Sequence, residues 1–416
     1  MLSWWSIPCP KKTTREEEKR RQIVEAVRRG LSQRKAAARF GVSVHTVQRW
    51  LARADKERLD RVDFSDRPRG GARKHTDAGT EDLILALRRE LRDKSELGEY
   101  GAEAIRRALV ERGHAPLPSV RTIGRILARR GALDGKRRVR RPPPPKGWYI
   151  PEVASGMCEL DCFDLIEDLR IQRGPMMDVL TAISLHGGLP GAFPLEGSIR
   201  AVDIVDRLIA HWRHNGRPAY AQFDNDTVFQ GPRKPDVLGR VIRLCLALGV
   251  TPIFAPQREH GVQNPIEGFN SQWREKVWHR FHHDSFGQLT VRSGGYIIAL
   301  KKRRAARIDG APSRKPFPAN FRFDPAKPLS GEVIFIRRTD ESGATQILGH
   351  RFEVSTNWQH RLVLATVDLD EHQIEFRMLR RREPDCRDLL KTAPYKFPDR
   401  PFHDSPPKAK PKKKGR

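Results

Sequence analysis

The stretch AYAQFDNDTVF, residues 219–229, is typical of a short buried strand that ends in a turn rich in aspartate. A second stretch, CELDCFD at residues 158–164, also carries aspartates within an apolar run of strand length. An ionised carboxylate inside an apolar strand is costly unless it is paired or bound to a cation. The two stretches therefore predict strands whose acidic residues have a chemical role.

Strand-like and helical patterns alternate around these stretches, from residue 148 to residue 307. Strands are expected at residues 158–163, 176–183, 191–195, 219–223 and 251–254, and helices at residues 198–215 and 237–248. This order predicts a layered α/β core.

A third acidic residue stands at a predicted helix start. Asn264 is a good N-cap and Pro265 suits the first helical position, which places Glu267 in the first turn. If Asp161 and Asp224 lie side by side on adjacent strands, this helix would bring three carboxylates together. Hard oxygen ligands of this kind predict a site for Mg²⁺, with Mn²⁺ as the alternative.

Such a site has a definite chemistry, since two divalent ions can activate an attacking oxygen and stabilise the leaving oxygen of a phosphoryl displacement. Arg274 lies seven residues after Glu267, about two helical turns along, where it could hold a DNA phosphate. The chain lacks a G-x-x-x-x-G-K-[ST] motif, so no ATP requirement is expected.

Other acidic residues leave alternatives open. Asp226 lies two residues from Asp224 and could replace it as the second ligand if the strand ends early. Asp164 and Asp178 are expected to make structural hydrogen bonds or to face solvent.

The N-terminal part predicts two helix-turn-helix units. In residues 15–54, Ser32 and Ser43 suit helix N-caps and Gly41 suits the turn between two helices. A second unit follows at residues 80–133. The polar residues of the last helix of each unit could contact a major groove: His45, Thr46, Gln48 and Arg49 in the first, and Arg121, Thr122 and Arg125 in the second.

The C-terminal part predicts a small β-barrel at residues 330–382, because short strand-like runs alternate there with turn-rich segments. Composition sets the remaining boundaries. It predicts a linker at 55–79, a basic proline-rich linker at 134–147, the core at 148–307 and a basic disordered tail at 383–416.

The overall charge points to the partner. The formal net charge is +28, from 79 basic and 51 acidic residues, which favours binding to a polyanion such as double-stranded DNA. The sequence contains no apolar run long enough to cross a bilayer, so no membrane association is expected. Five scattered cysteines fit a reducing compartment, which predicts a cytoplasmic, nucleoid-associated protein.

The order of these parts resembles the DDE transposases of bacterial insertion sequences, which share the catalytic core of retroviral integrases. The likeness rests on the helix-turn-helix units, the motifs ELDCFD, FDNDTVF and APQREHGVQNPIEGFN, and the predicted C-terminal barrel, and it spans residues 15 to 382. The spacing of 43 positions from Asp224 to Glu267 exceeds the usual spacing, which predicts an insertion around residues 230–238.

The resemblance implies an RNase H-like core and a reaction that cuts DNA at the ends of a mobile element and joins the 3′-hydroxyls to target DNA. It assigns two metal ions to Asp161, Asp224 and Glu267, a DNA contact to Arg274 and an orienting role to Asn225. It also implies a homo-oligomer on DNA. The alternatives are an inactive, transposase-derived regulator and a metal-dependent nuclease that does not join DNA.

Overall fold

The structure is a computed structural model that describes residues 14–66, 76–133, 135, 149–172, 174–197, 199–256, 259, 261–380, 383, 385–400 and 402. Of the predicted linker at 134–147, only residue 135 is described. The predicted disordered tail at 383–416 is described at 383, 385–400 and 402, and the prediction is wrong for Leu389–Pro394, which form a strand. The chain divides into two compact units, residues 1–77 and residues 78–416.

The first unit is a bundle of three helices. They are α1 (Arg15–Arg28), α2 (Gln33–Phe40) and α3 (Val44–Ala54). Thr14 and Glu17 form a capping box at α1, and the hydroxyls of Ser32 and Ser43 cap α2 and α3. Gly41 ends α2 in the left-handed conformation, with φ at 60°. The predicted helix-turn-helix is therefore confirmed.

The second unit opens with a similar bundle. Its helices are α4 (Ala78–Lys94), α5 (Ala102–Glu111) and α6 (Val120–Arg129), followed by the short α7 (Pro151–Ala154). Ser119 caps α6, and Ile84, Ile105 and Ile123 are completely buried between the three longer helices. Each bundle closes over its own small apolar core.

The core is a mixed sheet with helices on both faces. Its strands are β1 (Leu160–Arg170), β2 (Met176–Ser184), β3 (Pro190–Glu196), β4 (Tyr220–Phe223) and β5 (Thr251–Phe254), in the order β3-β2-β1-β4-β5. The first three are antiparallel to one another, whereas β4 and β5 continue parallel to β1. This is a layered α/β core, as predicted.

Different helices cover the two faces of this sheet. The helices are α8 (Ala201–Asn215), α9 (Thr227–Gln230), α10 (Arg240–Ala247), α11 (Asn264–Trp273), a π-helical turn (Arg274–Trp278), α12 (Phe286–Arg303) and α13 (Ala305–Asp309). One face packs Phe163 and Phe223 against α8, α9 and α10, and the other packs Cys162 and Ile166 against α11 and α12. We call them the α8 face and the α11 face.

The C-terminal strands correct the prediction of a barrel. They are β6 (Glu332–Arg338), β7 (Ala344–Ile347), β8 (His350–Glu353), β9 (Leu362–Asp368), β10 (Gln373–Met378) and β11 (Leu389–Pro394). β6 pairs in parallel with β5, so β6, β9, β10 and β11 extend the core into a nine-stranded sheet, and β7 and β8 form a separate hairpin. The described strands form no closed barrel. Instead, β6 pairs its free backbone edge with β5, an edge that a closed barrel would have paired with another C-terminal strand.

None of the described helices is both long enough and apolar enough to span a membrane.

Candidate active site and DNA-binding surfaces

Strand register decides which acidic side chains share a face of the sheet. β1 runs parallel to β4 with Cys162 opposite Gln222. Asp164 and Asp224 each follow two residues later, and side chains two apart point to the same face. Both therefore belong to the α11 face, whereas Asp161 precedes Cys162 and belongs to the α8 face.

The surroundings of Asp161 are those of a buried structural ion pair. Its side chain is 1% exposed, and Arg314 contacts its two carboxylate oxygens at 2.9 and 2.5 Å. The indole Nε1 of Trp212 donates to Oδ2 at 3.0 Å. Burial lowers the pKa of the neighbouring His211 to about 4, so this imidazole is neutral at pH 7. The predicted placement of Asp161 beside the other two acids is therefore corrected.

Asp164 instead lies among the remaining acids. Its Oδ2 accepts a hydrogen bond of 2.7 Å from Asn270 Nδ2, and its Oδ1 accepts one of 2.9 Å from the backbone of Leu165. Burial, together with the negative charges of Asp224 and Glu267, raises the pKa of Asp164 to about 6. From the sequence, Asp164 is expected only to make structural hydrogen bonds or to face solvent, because the register of parallel strands cannot be read from either motif.

Helix α11 carries Glu267 at its exposed N-terminal turn. The N-cap is Gln263 and Asn264 is the first helical residue, one position earlier than predicted. One turn further, Asn270 accepts a hydrogen bond of 2.6 Å from Thr181 Oγ1 on β2. The helix is thereby tied to two strands of the sheet, which fixes the direction from which Glu267 approaches the site.

Two neighbouring aspartates have separate tasks. Asp226 caps α9, since its Oδ1 accepts a hydrogen bond of 2.9 Å from the backbone of Val228. Asp224 accepts one of 2.9 Å from the backbone of Asp226 through Oδ1. The alternative in which Asp226 replaces Asp224 is thus less favourable, because its carboxylate already caps a helix.

The donor set has the chemistry of a divalent-cation site. Asp164, Asp224 and Glu267 offer hard oxygen atoms, and the buried Oδ1 of Asn225 has no hydrogen-bond partner among the described residues. The described part of the chain holds no group of three His, Cys, Asp or Glu side chains drawn together as closely as a bound ion requires. The carboxylates would therefore have to close around an ion.

A basic groove of about 520 Å³ adjoins Asn225. Arg233 and Lys234 line it from the segment between α9 and α10, where the insertion was predicted, and Arg337 lines it from β6. Burial lowers the pKa of Arg337 to about 10, and within the described residues this guanidinium has no carboxylate in an ion pair. The groove can accept a phosphate beside the acidic site.

Arg274 is exposed at the start of the π-helical turn, and the same turn contacts the second bundle. Lys276 Nζ donates to the carbonyl of Gly98 at 3.3 Å, and Arg280 donates to the carbonyls of Ser95 and Arg92. Arg280 thus caps the C-terminal end of α4. The phosphate contact of Arg274 stays a prediction.

The residues predicted to contact DNA lie on the outer side of α3 and α6. They are His45, Thr46, Gln48, Arg49, Arg121, Thr122 and Arg125. The two threonines are partly buried at the helix starts, and the other five are exposed. Their exposure leaves these side chains accessible to a DNA groove.

Comparison with known proteins finds family models that match the N-terminal helical units. Two family models, both described as homeodomain-like domain, match residues 14–63 and 46–127. No curated protein matches the chain. The N-terminal units are therefore homeodomain-like helix-turn-helix domains.

Solved structures similar to the chain include an integrase catalytic core and a chain of a viral intasome. The catalytic core domain of BIV integrase is 14% identical with a TM-score of 0.27, over 35% of this chain and 84% of that one. A chain of the simian T-cell lymphotropic virus intasome in complex with PP2A regulatory subunit B56 gamma is 12% identical with a TM-score of 0.33. That match covers 62% of this chain and 87% of the other.

Proposed function

We propose that this protein is a transposase that binds the ends of a mobile DNA element, cleaves there and joins the 3′-hydroxyl ends to target DNA. The observation that carries the proposal is the cluster of Asp164, Asp224 and Glu267 on one sheet face of a chain with helix-turn-helix domains. Like charges held together at a partly buried position are typical of functional sites.

In this proposal Asp164 takes the role that sequence resemblance gave to Asp161. Asp164, Asp224 and Glu267 would hold two Mg²⁺ ions, or Mn²⁺ in their place. Bound divalent ions would activate a water or hydroxyl oxygen and stabilise the leaving oxygen. Asn270 orients Asp164 through its 2.7 Å hydrogen bond, and such outer contacts fix the direction of a ligand.

The remaining parts of the chain bind DNA in this proposal. The two helix-turn-helix domains recognise the element ends, and Arg274, Arg233 and Lys234 hold phosphates near the acidic cluster. Because two ends must be joined together, the active species is a homo-oligomer on double-stranded DNA.

The test is a strand-transfer assay with Mg²⁺, a labelled duplex of the gene's flanking end sequence and a supercoiled target. Asp164→Asn, Asp224→Asn and Glu267→Gln should lose more than about 100-fold of joined product and still bind the duplex. Even an outer partner of a metal ligand costs about 10- to 100-fold, so a ligand itself should cost more.

Asp161→Asn is the matched control on the same strand. Its folded fraction should retain activity, and the opposite pattern, with Asp164→Asn active and folded Asp161→Asn inactive, would return the first ligand to Asp161. Cleavage without joining by the wild type would establish a nuclease instead. Binding without either reaction would establish a regulator.

A further inference from the structure

The last helices of the two helix-turn-helix domains are copies of one sequence. Residues 43–53 read SVHTVQRWLAR and residues 119–129 read SVRTIGRILAR, so seven of eleven positions are identical. The two segments belong to different compact units, and each lies at the same place in its own bundle. The repeated sequence therefore belongs to the last helix of each bundle, which is the helix predicted to contact DNA.

The helix starts also agree in geometry. The backbone of Thr46 donates to Ser43 Oγ at 3.1 Å, and the two hydroxyls are 2.9 Å apart. Thr122 and Ser119 repeat both distances. The first turn of each helix is consequently presented in the same conformation.

Within the repeat, some shared residues serve the fold. Arg53 pairs with Asp63 at 2.8 Å, and Arg129 pairs with Glu81, so both final arginines are held by acids of their own bundles. These arginines account for one of the shared positions without any role for DNA.

Other shared residues face outward, although the guanidinium of Arg49 also lies 5.4 Å from the centroid of the Trp50 ring. Arg49 and Arg125 are exposed and form no ion pair with any described residue. Val44 and Val120 are 36% and 39% exposed at the first helical position. An apolar side chain kept there on both outer faces is suited to the methyl group of thymine.

The two outer faces differ at two positions. His45 of the first helix corresponds to Arg121 of the second, and Gln48 corresponds to Gly124. A glycine inside a helix is less favourable than alanine, because it loses more backbone freedom on folding. A Cβ at Gly124 would meet nothing within 4 Å, so packing within the described structure does not require the glycine.

We propose that the two domains read two related half-sites in each element end. The half-sites share the bases contacted by Val44 and Arg49 in one domain and by Val120 and Arg125 in the other. They differ at the bases that face His45 and Gln48 in the first domain, or Arg121 and Gly124 in the second. This inference rests on the proposed DNA binding, and it adds which residues set the specificity.

The test selects randomised duplexes on the full-length protein and sequences the retained DNA. The expected result is two half-sites with a common core and a few differing bases. Replacement of a shared core base in one half-site should weaken binding about 10- to 100-fold. Two unrelated half-sites would overturn the inference, whereas no enrichment at all would overturn the proposed DNA binding as well.

A substitution then assigns the differing bases. Arg121→His with Gly124→Gln gives the second helix the outer face of the first, and this variant should select two copies of the first half-site. The helix tolerates both changes, since position 124 has space and glutamine favours a helix. Glu18→Gln, exposed on α1, is the matched control and should leave the motif unchanged. An unchanged motif in the folded double variant would refute the assignment.

Discussion

Asp161 and Asp164 lie three residues apart on β1, and the two faces of the sheet treat them in opposite ways. On the α8 face, Asp161 is neutralised by Arg314 and hydrogen-bonded by Trp212. On the α11 face, Asp164 is held near two other carboxylates and its pKa rises. A carboxylate that is paired with a cation contributes to the fold, whereas one that is held among like charges lowers stability. A destabilising carboxylate of the second kind indicates a functional site.

The largest expected effect is on the α8 face. Asp161→Asn leaves the Arg314 guanidinium, 15% exposed, without its counter-charge. We expect unfolding in urea to show a loss of about 3 to 5 kcal/mol, because removal of one partner strands a buried charge. Asp161→Leu combined with Arg314→Met should recover most of that loss. A single variant as stable as the wild type would contradict the ion pair.

On the α11 face, removal of the carboxylate charge is expected to stabilise the protein rather than destabilise it. The pKa of Asp164 is about 6 when folded against an ordinary 3.8, so the folded state holds more protons between those values. Stability is therefore lost as the pH rises through that window, and the full cost applies above pH 6. Asp164→Asn should stabilise the protein at pH 7 by about 1 to 3 kcal/mol.

The measurement is urea unfolding in the presence of a chelator, at pH 7 and at decreasing pH. The gain of Asp164→Asn should shrink as the pH falls from 6 towards 4 and disappear below the ordinary pKa of 3.8, where the wild-type carboxyl is protonated in both states. A destabilised variant at pH 7 would mean that the hydrogen bonds of Asp164 outweigh the like-charge repulsion.

The smallest expected effect concerns the basic groove, and it separates cations that pair within the fold, such as Arg314, from cations that contact DNA. Arg233→Ala with Lys234→Ala should lower the salt dependence of DNA binding by about one unit of slope per residue that contacts a phosphate. The charge-neutral pair of changes at Asp161 and Arg314 is the control and should leave the slope unaltered. An unchanged slope in the groove variant would remove the groove from the DNA path.

The helical units could be predicted closely because their signals are local. Ser32, Gly41 and Ser43 mark helix ends in sequence, and the structure uses all three. Four of the five core strands were also predicted to within one residue at each end, since each is a short, mostly apolar run. The exception is β1, which continues to Arg170 although the prediction ended it at Phe163, because acidic residues interrupt its apolar pattern.

The errors arose where distant segments meet. Whether Asp161 or Asp164 shares a face with Asp224 depends on the register of β1 against β4, and a shift of one residue exchanges the faces. The barrel was wrong for a similar reason, because Val333 to Ile336 reads as a strand without indicating that its partner is β5. Pairings of this kind follow from the assembled sheet.

The pairing of β5 with β6 also affects the order in which parts of the chain fold. Ile253 meets Ile334, and the ring of Phe254 stacks on Phe335 at 5.3 Å, although about 80 residues separate the partners. Such long-range closure is slow, and chains fold from the N-terminus as they are synthesised. The DNA-reading bundles are therefore complete while β5 is still an open edge. A chain that ends before Phe335 would keep the N-terminal helix-turn-helix bundles, but its β5 would remain an unpaired edge strand. Such an edge favours aggregation over assembly.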